Sequence, residues 1–108
     1  MKQYRVRLIE DAEHDLSDIF SYVASHDSIG NATRLLDELE ALCQSLANLP
    51  LRGHIPPELE RVGVTDYREV HCKPYRAIYE VEGQNVYIHC VLDGRRDLQS
   101  VLERRIIR

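Results

Sequence analysis

Between Tyr67 and Asp97 three runs rich in Val, Ile, Tyr and Cys follow one another, punctuated by Lys73-Pro74 and by Glu82-Gly83. β-branched and aromatic residues suit a pleated, half-buried surface, and turn residues at each end close such runs into a strand meander. That stretch predicts a small sheet. The chain before it must then supply the layer that packs on the sheet. The last run ends in Gly94-Arg95-Arg96-Asp97, which places two guanidinium groups where the sheet stops.

The preceding chain has the expected periods. Tyr4, Val6 and Leu8 alternate with Arg5 and Arg7, a strand with one buried face. Ala12, Leu16, Ile19, Phe20 and Val23 then fall on one helical stripe, with Glu10, Asp11 and Glu13 in the first turn, where the helix dipole favours anions. Asp27 or Ser28 can cap a second helix carrying Ala32, Leu35, Leu36, Leu39, Leu42, Cys43, Leu46 and Leu49, stopped by Pro50. The short link makes the two an antiparallel hairpin. Leu51 to Asp66 reads as a long loop, and Leu98, Val101 and Leu102 as a short C-terminal helix after which Arg104–Arg108 frays. The fold class is α+β, in the order βααβββ. An N-terminal strand and helical hairpin pack on one face of a small, mostly antiparallel sheet, whose other face is left partly uncovered.

At 108 residues the chain is a single domain, 1–108. No apolar run approaches the roughly 20 residues that span a membrane, and the N-terminus leads into an alternating strand and not a signal-peptide core, so a cytoplasmic protein is expected. Three cysteines, Cys43, Cys72 and Cys90, read as buried free thiols. Between Glu10 and Asn48 nine acidic residues stand against Arg34 alone, whereas Arg95–Arg108 holds five arginines against Asp97 and Glu103. The net charge of −4 argues against direct nucleic-acid binding and favours protein partners.

With the elements placed, five motifs in order resemble the ParE/RelE superfamily of type II toxin–antitoxin toxins, and its ParE branch more closely. They are Ala12-Glu13-His14-Asp15-Leu16 with Ile19 and Tyr22, Leu49-Pro50-Leu51-Arg52-Gly53, Tyr67-Arg68-Glu69, Tyr75-Arg76-Ala77-Ile78-Tyr79-Glu80-Val81, and Val91-Leu92-Asp93-Gly94-Arg95-Arg96-Asp97. Ile9 stands where the family often has Ser or Thr, and Asp93 where it often has His. The resemblance implies a toxin neutralised by a cognate antitoxin whose C-terminal segment wraps around it. ParE-branch toxins are associated with poisoning of DNA gyrase and RelE-branch toxins with ribosome-dependent mRNA cleavage. No cofactor and no metal are expected. The target- and antitoxin-binding residues expected from the resemblance are Arg76, Tyr79, Arg95, Arg96, Asp97, Arg104 and Arg105, with the segment through Arg108 as part of the effector region.

A nuclease reading remains beside it. Metal-free RNA cleavage needs a base, an acid and cations for the phosphate. Arg76, Arg95 and Arg96 match arginines of the RelE branch, and His71 could be the base. The lysines and the C-terminal Tyr of that branch have no counterpart, since Val62–Asp66 holds no Lys and no Tyr follows Tyr87. A gyrase inhibitor without catalytic residues is therefore the preferred reading, and a degenerate module that only binds antitoxin is the third. Bland readings stand beside each residue. Arg76 could pair with Glu69 on the neighbouring strand. Arg95 and Arg96, as strand neighbours, would face opposite sides. Tyr67, Tyr75, Tyr79 and Tyr87 would pack and not stack on bases. Period two would send Cys72 and Cys90 to the core and His71 and His89 away from it, which opposes a zinc site built from those pairs. His14, His26 and His54 would be exposed and without a role.

Overall fold

The computed structural model describes residues 3–107. Its elements are β1 (Arg5–Leu8), α1 (Glu10–His26), α2 (Ile29–Gln44), α3 (Pro57–Glu60), β2 (Tyr67–Cys72), β3 (Tyr75–Glu82), β4 (Asn85–Asp93) and α4 (Leu98–Leu102). The sheet order is β1-β4-β3-β2, with β1 parallel to β4 and the meander antiparallel. This is the α+β arrangement expected from the periods. The two hairpin turns are Lys73-Pro74 and Gly83-Gln84. α1 begins at Ile9 without a side-chain cap, whereas Ser28 Oγ accepts the Asn31 N–H at 3.0 Å and starts α2.

The hairpin buries Ala12, Leu16, Leu39, Cys43 and Leu46 against Val70, Ala77, Tyr79, Val86, Ile88 and Val91. α2 stops at Gln44, and a 3₁₀ turn over Ser45–Ala47 carries Leu46 inward; Leu49, expected on the same stripe, is exposed. The tighter turn rotates the stripe before Pro50 is reached.

Two expectations fail on the far side of the sheet. That face is covered, because Leu59, Ile78, Cys90, Leu92, Leu98, Val101 and Leu102 form a second core with Ile106 and Ile107 packed against it. The loop supplies α3, and the C-terminal segment continues past α4 as a π-helical turn over Glu103–Ile107. Gln99 ties the two, donating to the Glu58 carbonyl at 2.9 Å and accepting from Arg61 at 3.0 Å.

A β-bulge sets which residues of β4 face each core. Ile78 pairs with Cys90 but Tyr79 pairs with Ile88, so His89 is the extra residue. Val86 and Ile88 face the hairpin before it and Val91 does after it, while Cys90 and Leu92 face the second core. His89 turns to that same second face, where its ring meets Tyr67 edge-on and Nε2 lies 2.9 Å from Glu80 Oε1. The bulge therefore overrides the expected separation of His89 from Cys90.

The segment after Pro50 is clamped onto β2. The His54 N–H donates to the Glu69 carbonyl at 3.3 Å and the Glu69 N–H to the His54 carbonyl at 2.7 Å. Arg68 donates to the Gly53 carbonyl at 2.7 Å, and the Gly53 N–H donates to the buried Tyr79 hydroxyl at 3.1 Å. A Cβ at residue 53 would lie 2.5 Å from the Glu69 oxygen and 2.7 Å from the Tyr79 hydroxyl. Gly53→Ala is therefore expected to cost about 1–3 kcal/mol, the range for overpacking, read as a lower urea midpoint at unchanged slope.

Candidate functional site

Two clusters of charged side chains sit at the end of the sheet where β3 begins and β4 stops. The first is built around Arg76. Its Nε donates to Glu69 Oε1, while NH1 and NH2 donate to the two oxygens of Glu58, each at 2.8 Å. Glu69 is 1% exposed and is the buried charged residue of the core. The expected cross-strand pair is present, completed by Glu58 from α3, which the sequence read as loop. Three of the five guanidinium N–H donors of Arg76 are thus engaged by two carboxylates on its edges. Those carboxylates hold Arg76 protonated, raising it above its ordinary value, with the Glu58 hydrogen bond the largest cause.

Arg76 in turn holds the Glu58 carboxyl below the usual carboxylate range. A depressed folded value stabilises the protein above the unfolded value of about 4.3, and that stability is lost as pH falls through the folded value. Glu58→Gln is expected to be less stable than the parent at neutral pH and to lose less on acidification below about pH 4.3. Urea unfolding across that range checks this, the two curves converging at the acid end.

The second cluster is the corner after β4. Arg95 and Arg96 lie in a turn and not on the strand, so strand alternation does not separate them, and both line one cleft of about 360 Å³ with Asp18, Ile19, Tyr22, Tyr75 and Asp93. Arg95 closes on Asp93 through Nε and NH2 at 3.0 and 2.7 Å, and the Arg95 N–H also donates to Asp93 at 2.9 Å. This pair keeps the Asp93 carboxyl below its usual range. The position where the family often has His is thus a carboxylate that orients Arg95. Arg96 is exposed and forms no ion pair among the described residues. Tyr22, 63% exposed, stacks on His26 with ring centroids 4.0 Å apart and gives the cleft an aromatic wall.

Gly94 joins the two clusters. Its N–H donates to the Pro74 carbonyl at 2.7 Å, and a Cβ there would lie 3.0 Å from both that oxygen and Arg76 Cδ. The stem of Arg76 thus packs beneath the turn that presents Arg95 and Arg96.

The remaining expected residues have other places. Tyr79 is fully buried, its ring in the hairpin core and its hydroxyl on Gly53, so it offers a partner no surface. Asp97 caps α4, accepting from the Ser100 N–H and hydroxyl at 3.4 and 3.0 Å. Arg105 is anchored where fraying was expected. β1 ends at Leu8 opposite Ile88, and beyond it Arg105 donates to the His89 carbonyl at 2.9 Å while the Val91 N–H donates to Asp15 at 2.9 Å. Arg105 NH1 spans both Asp15 oxygens at 3.0 Å. The pair closes a stretch of sheet edge that β1 is too short to cover. Burial lifts the Asp15 carboxyl above its ordinary value even against these partners. Arg104 is exposed beside Asp11 and His14, and Arg108 lies outside the described residues.

His71 faces Glu69, with Nε2 3.1 Å from Oε1, on the same side of the sheet as Arg76. His71-Cys72 and His89-Cys90 do not converge, since β3 lies between them and Cys72 packs with the hairpin core while Cys90 lies in the other. Burial pushes the Cys43 thiol up to about 11 and Cys90 to about 12, which keeps both as inert thiols. Sequence reasoning missed Glu58, Asp15 and His54; the acidic residue at the start of α3, just after Pro56-Pro57, was the available signal for Glu58.

Comparison with known proteins bears on the family and the fold. The family model described as ParE toxin of type II toxin–antitoxin system, parDE, matches residues 6–98. Toxin ParE3 of Caulobacter vibrioides is 29% identical over 91 residues, which cover 84% of this chain and 87% of that protein. Among solved structures, the chromosomal ParDE toxin–antitoxin system from P. aeruginosa superposes with a TM-score of 0.69 at 16% identity, covering 82% of this chain and 94% of that one. The RelBE2 toxin–antitoxin complex from Mycobacterium tuberculosis gives 0.65 at 22%, covering 86% and 93%. At these identities the structural likenesses establish the shared fold. No helix among the described residues is long and apolar enough to cross a membrane.

Proposed function

The chain belongs to the ParE toxin family of type II toxin–antitoxin systems, and from that premise we propose that it is held by a cognate antitoxin and, once released, inhibits DNA gyrase by binding it. The observation that carries this reading is the corner at Arg95 and Arg96, two exposed guanidinium groups on an aromatic-walled cleft with Arg96 unpaired among the described residues. Arginine and tyrosine on a concave surface are the residues that anchor protein interfaces. The effector surface is Arg95, Arg96 and Arg104; Arg76, Asp97 and Arg105 support it through the fold.

The antitoxin has a separate seat in this reading. A groove of about 510 Å³ between β1, α1 and α2 is floored by Leu8, Leu16, Phe20 and Leu36 and rimmed by Glu13 and Glu40. An apolar segment flanked by basic residues fits it, and its affinity would fall with salt. The runner-up, mRNA cleavage, loses Arg76 as a cation for phosphate, because Arg76 is committed to Glu58 and Glu69, and would have to rest on Arg95 and Arg96.

The test is to apply the purified protein to a gyrase supercoiling assay and to a ribosome-programmed mRNA cleavage assay. Loss of supercoiling with intact mRNA is the expected result. Cut mRNA with unaffected gyrase would transfer the protein to the nuclease reading. Neither effect, with no growth arrest on expression, would leave an antitoxin-binding module.

A further inference from the structure

His54 and His71 have no part in the gyrase reading, yet the fold brings both onto the carboxylate of Glu69. His54 Nε2 lies 2.9 Å from Glu69 Oε2, and His71 Nε2 lies 3.1 Å from Glu69 Oε1. The two rings stand edge to face with centroids 5.2 Å apart. The three ligating atoms all lie within 4.8 Å of one another.

The backbone fixes this set. Glu69 and His71 are two apart on β2 and so share a face. His54 is placed by its paired main-chain bonds to Glu69, which depend on Gly53. The carboxylate is oriented from behind by Arg76 Nε, and Arg76 is itself held by Glu58. Ligands held by such outer partners are the usual construction of a metal site. The hydrogen-bonded set of Glu58, Glu69 and Arg76 holds two carboxylates and one guanidinium. The side chains of His54 and His71 are 61% and 45% exposed, which gives an ion a path from solvent and leaves a position for water.

We propose that His54, Glu69 and His71 form a binding site for a divalent transition-metal ion of the zinc class. Two imidazoles, one carboxylate and an open position are a ligand set zinc takes. Ligands about 2.0–2.2 Å from a tetrahedral ion lie about 3.3 Å from one another. Each imidazole nitrogen already lies near that distance from one of the two Glu69 oxygens, His54 from Oε2 and His71 from Oε1, and with one oxygen as ligand the exposed rings rotate to bring the set, now within 4.8 Å, to that spacing. The ion displaces any proton on the two Nε2 atoms, so affinity falls in acid. Occupancy clasps the segment after Pro50 to β2 and raises the melting temperature with ion concentration.

The experiment is calorimetric titration of the tag-free chain with zinc chloride near neutral pH, with melting curves on the same samples. One ion per chain and a rise in melting temperature are expected. His54→Gln and His71→Gln should each weaken uptake by more than the about tenfold that loss of an outer-shell partner costs, while His14→Gln leaves it unchanged. Both sites of change are exposed, so circular dichroism should show folded variants. No uptake by the parent chain, or uptake that survives either replacement, would overturn the proposal. The readout is independent of toxicity and of the antitoxin.

Discussion

Arg76→Ala is expected to lower stability by about 3–5 kcal/mol, the cost of leaving a buried charge without its partner. Glu69 is 1% exposed and would keep only the imidazoles of His54 and His71, and Glu58 would lose both of its guanidinium bonds. For a domain of this size each kcal/mol moves the melting temperature by about 4–8 °C, so a fall well beyond 10 °C is predicted. Adding Glu69→Gln to that variant should recover part of the loss, because the buried group is then uncharged. A melting temperature within about 2 °C of the parent, well under one kcal/mol on this scale, would show that the triad contributes little and would return Arg76 to the list of groups free to meet a ligand. Loss of toxicity in an Arg76 variant is thus uninformative about mechanism until its folding has been measured.

The corner behaves oppositely. Arg95→Ala with Arg96→Ala is expected to leave the fold intact, because Arg95 is exposed and bonded only to Asp93 among the described residues, and exposed pairs are worth little. Binding to the target should fall steeply. Arginine anchors at interfaces commonly contribute about 2 kcal/mol or more each, roughly 30-fold per residue. Antitoxin affinity should hardly change, since the groove between β1, α1 and α2 is lined by other residues. Parallel loss of both affinities would mean that one surface serves both partners.

Much of the fold was legible because it is written in periods. The meander, the apolar stripes of α1 and α2 and the Ser28 cap follow from residue spacing. The pairing of Arg76 with Glu69 was legible too, since diagonal neighbours on adjacent strands lie within reach of long side chains. The rest depended on events without a period. One extra residue at His89 shifts the phase of β4, and that shift decides which of its later residues meet each core. Glu58 and His54 sit in a stretch dense in turn residues, where local pattern says nothing about which strand the segment will meet. Arg105 looked like part of a solvated tail, and only the shortness of β1 makes a place for it beside Asp15. Resemblance pointed to the region proposed here as the effector surface. The structure separates its members into those that present charge, Arg95, Arg96 and Arg104, and those that hold the frame, Asp97 and Arg105.

The most direct measurement is the concentration of protein that halves gyrase supercoiling, taken side by side for the parent chain and the Arg95→Ala, Arg96→Ala variant. Inhibition by the parent and its loss in a variant of unchanged melting temperature are expected. Equal inhibition by both proteins, or none by the parent, would contradict that expectation.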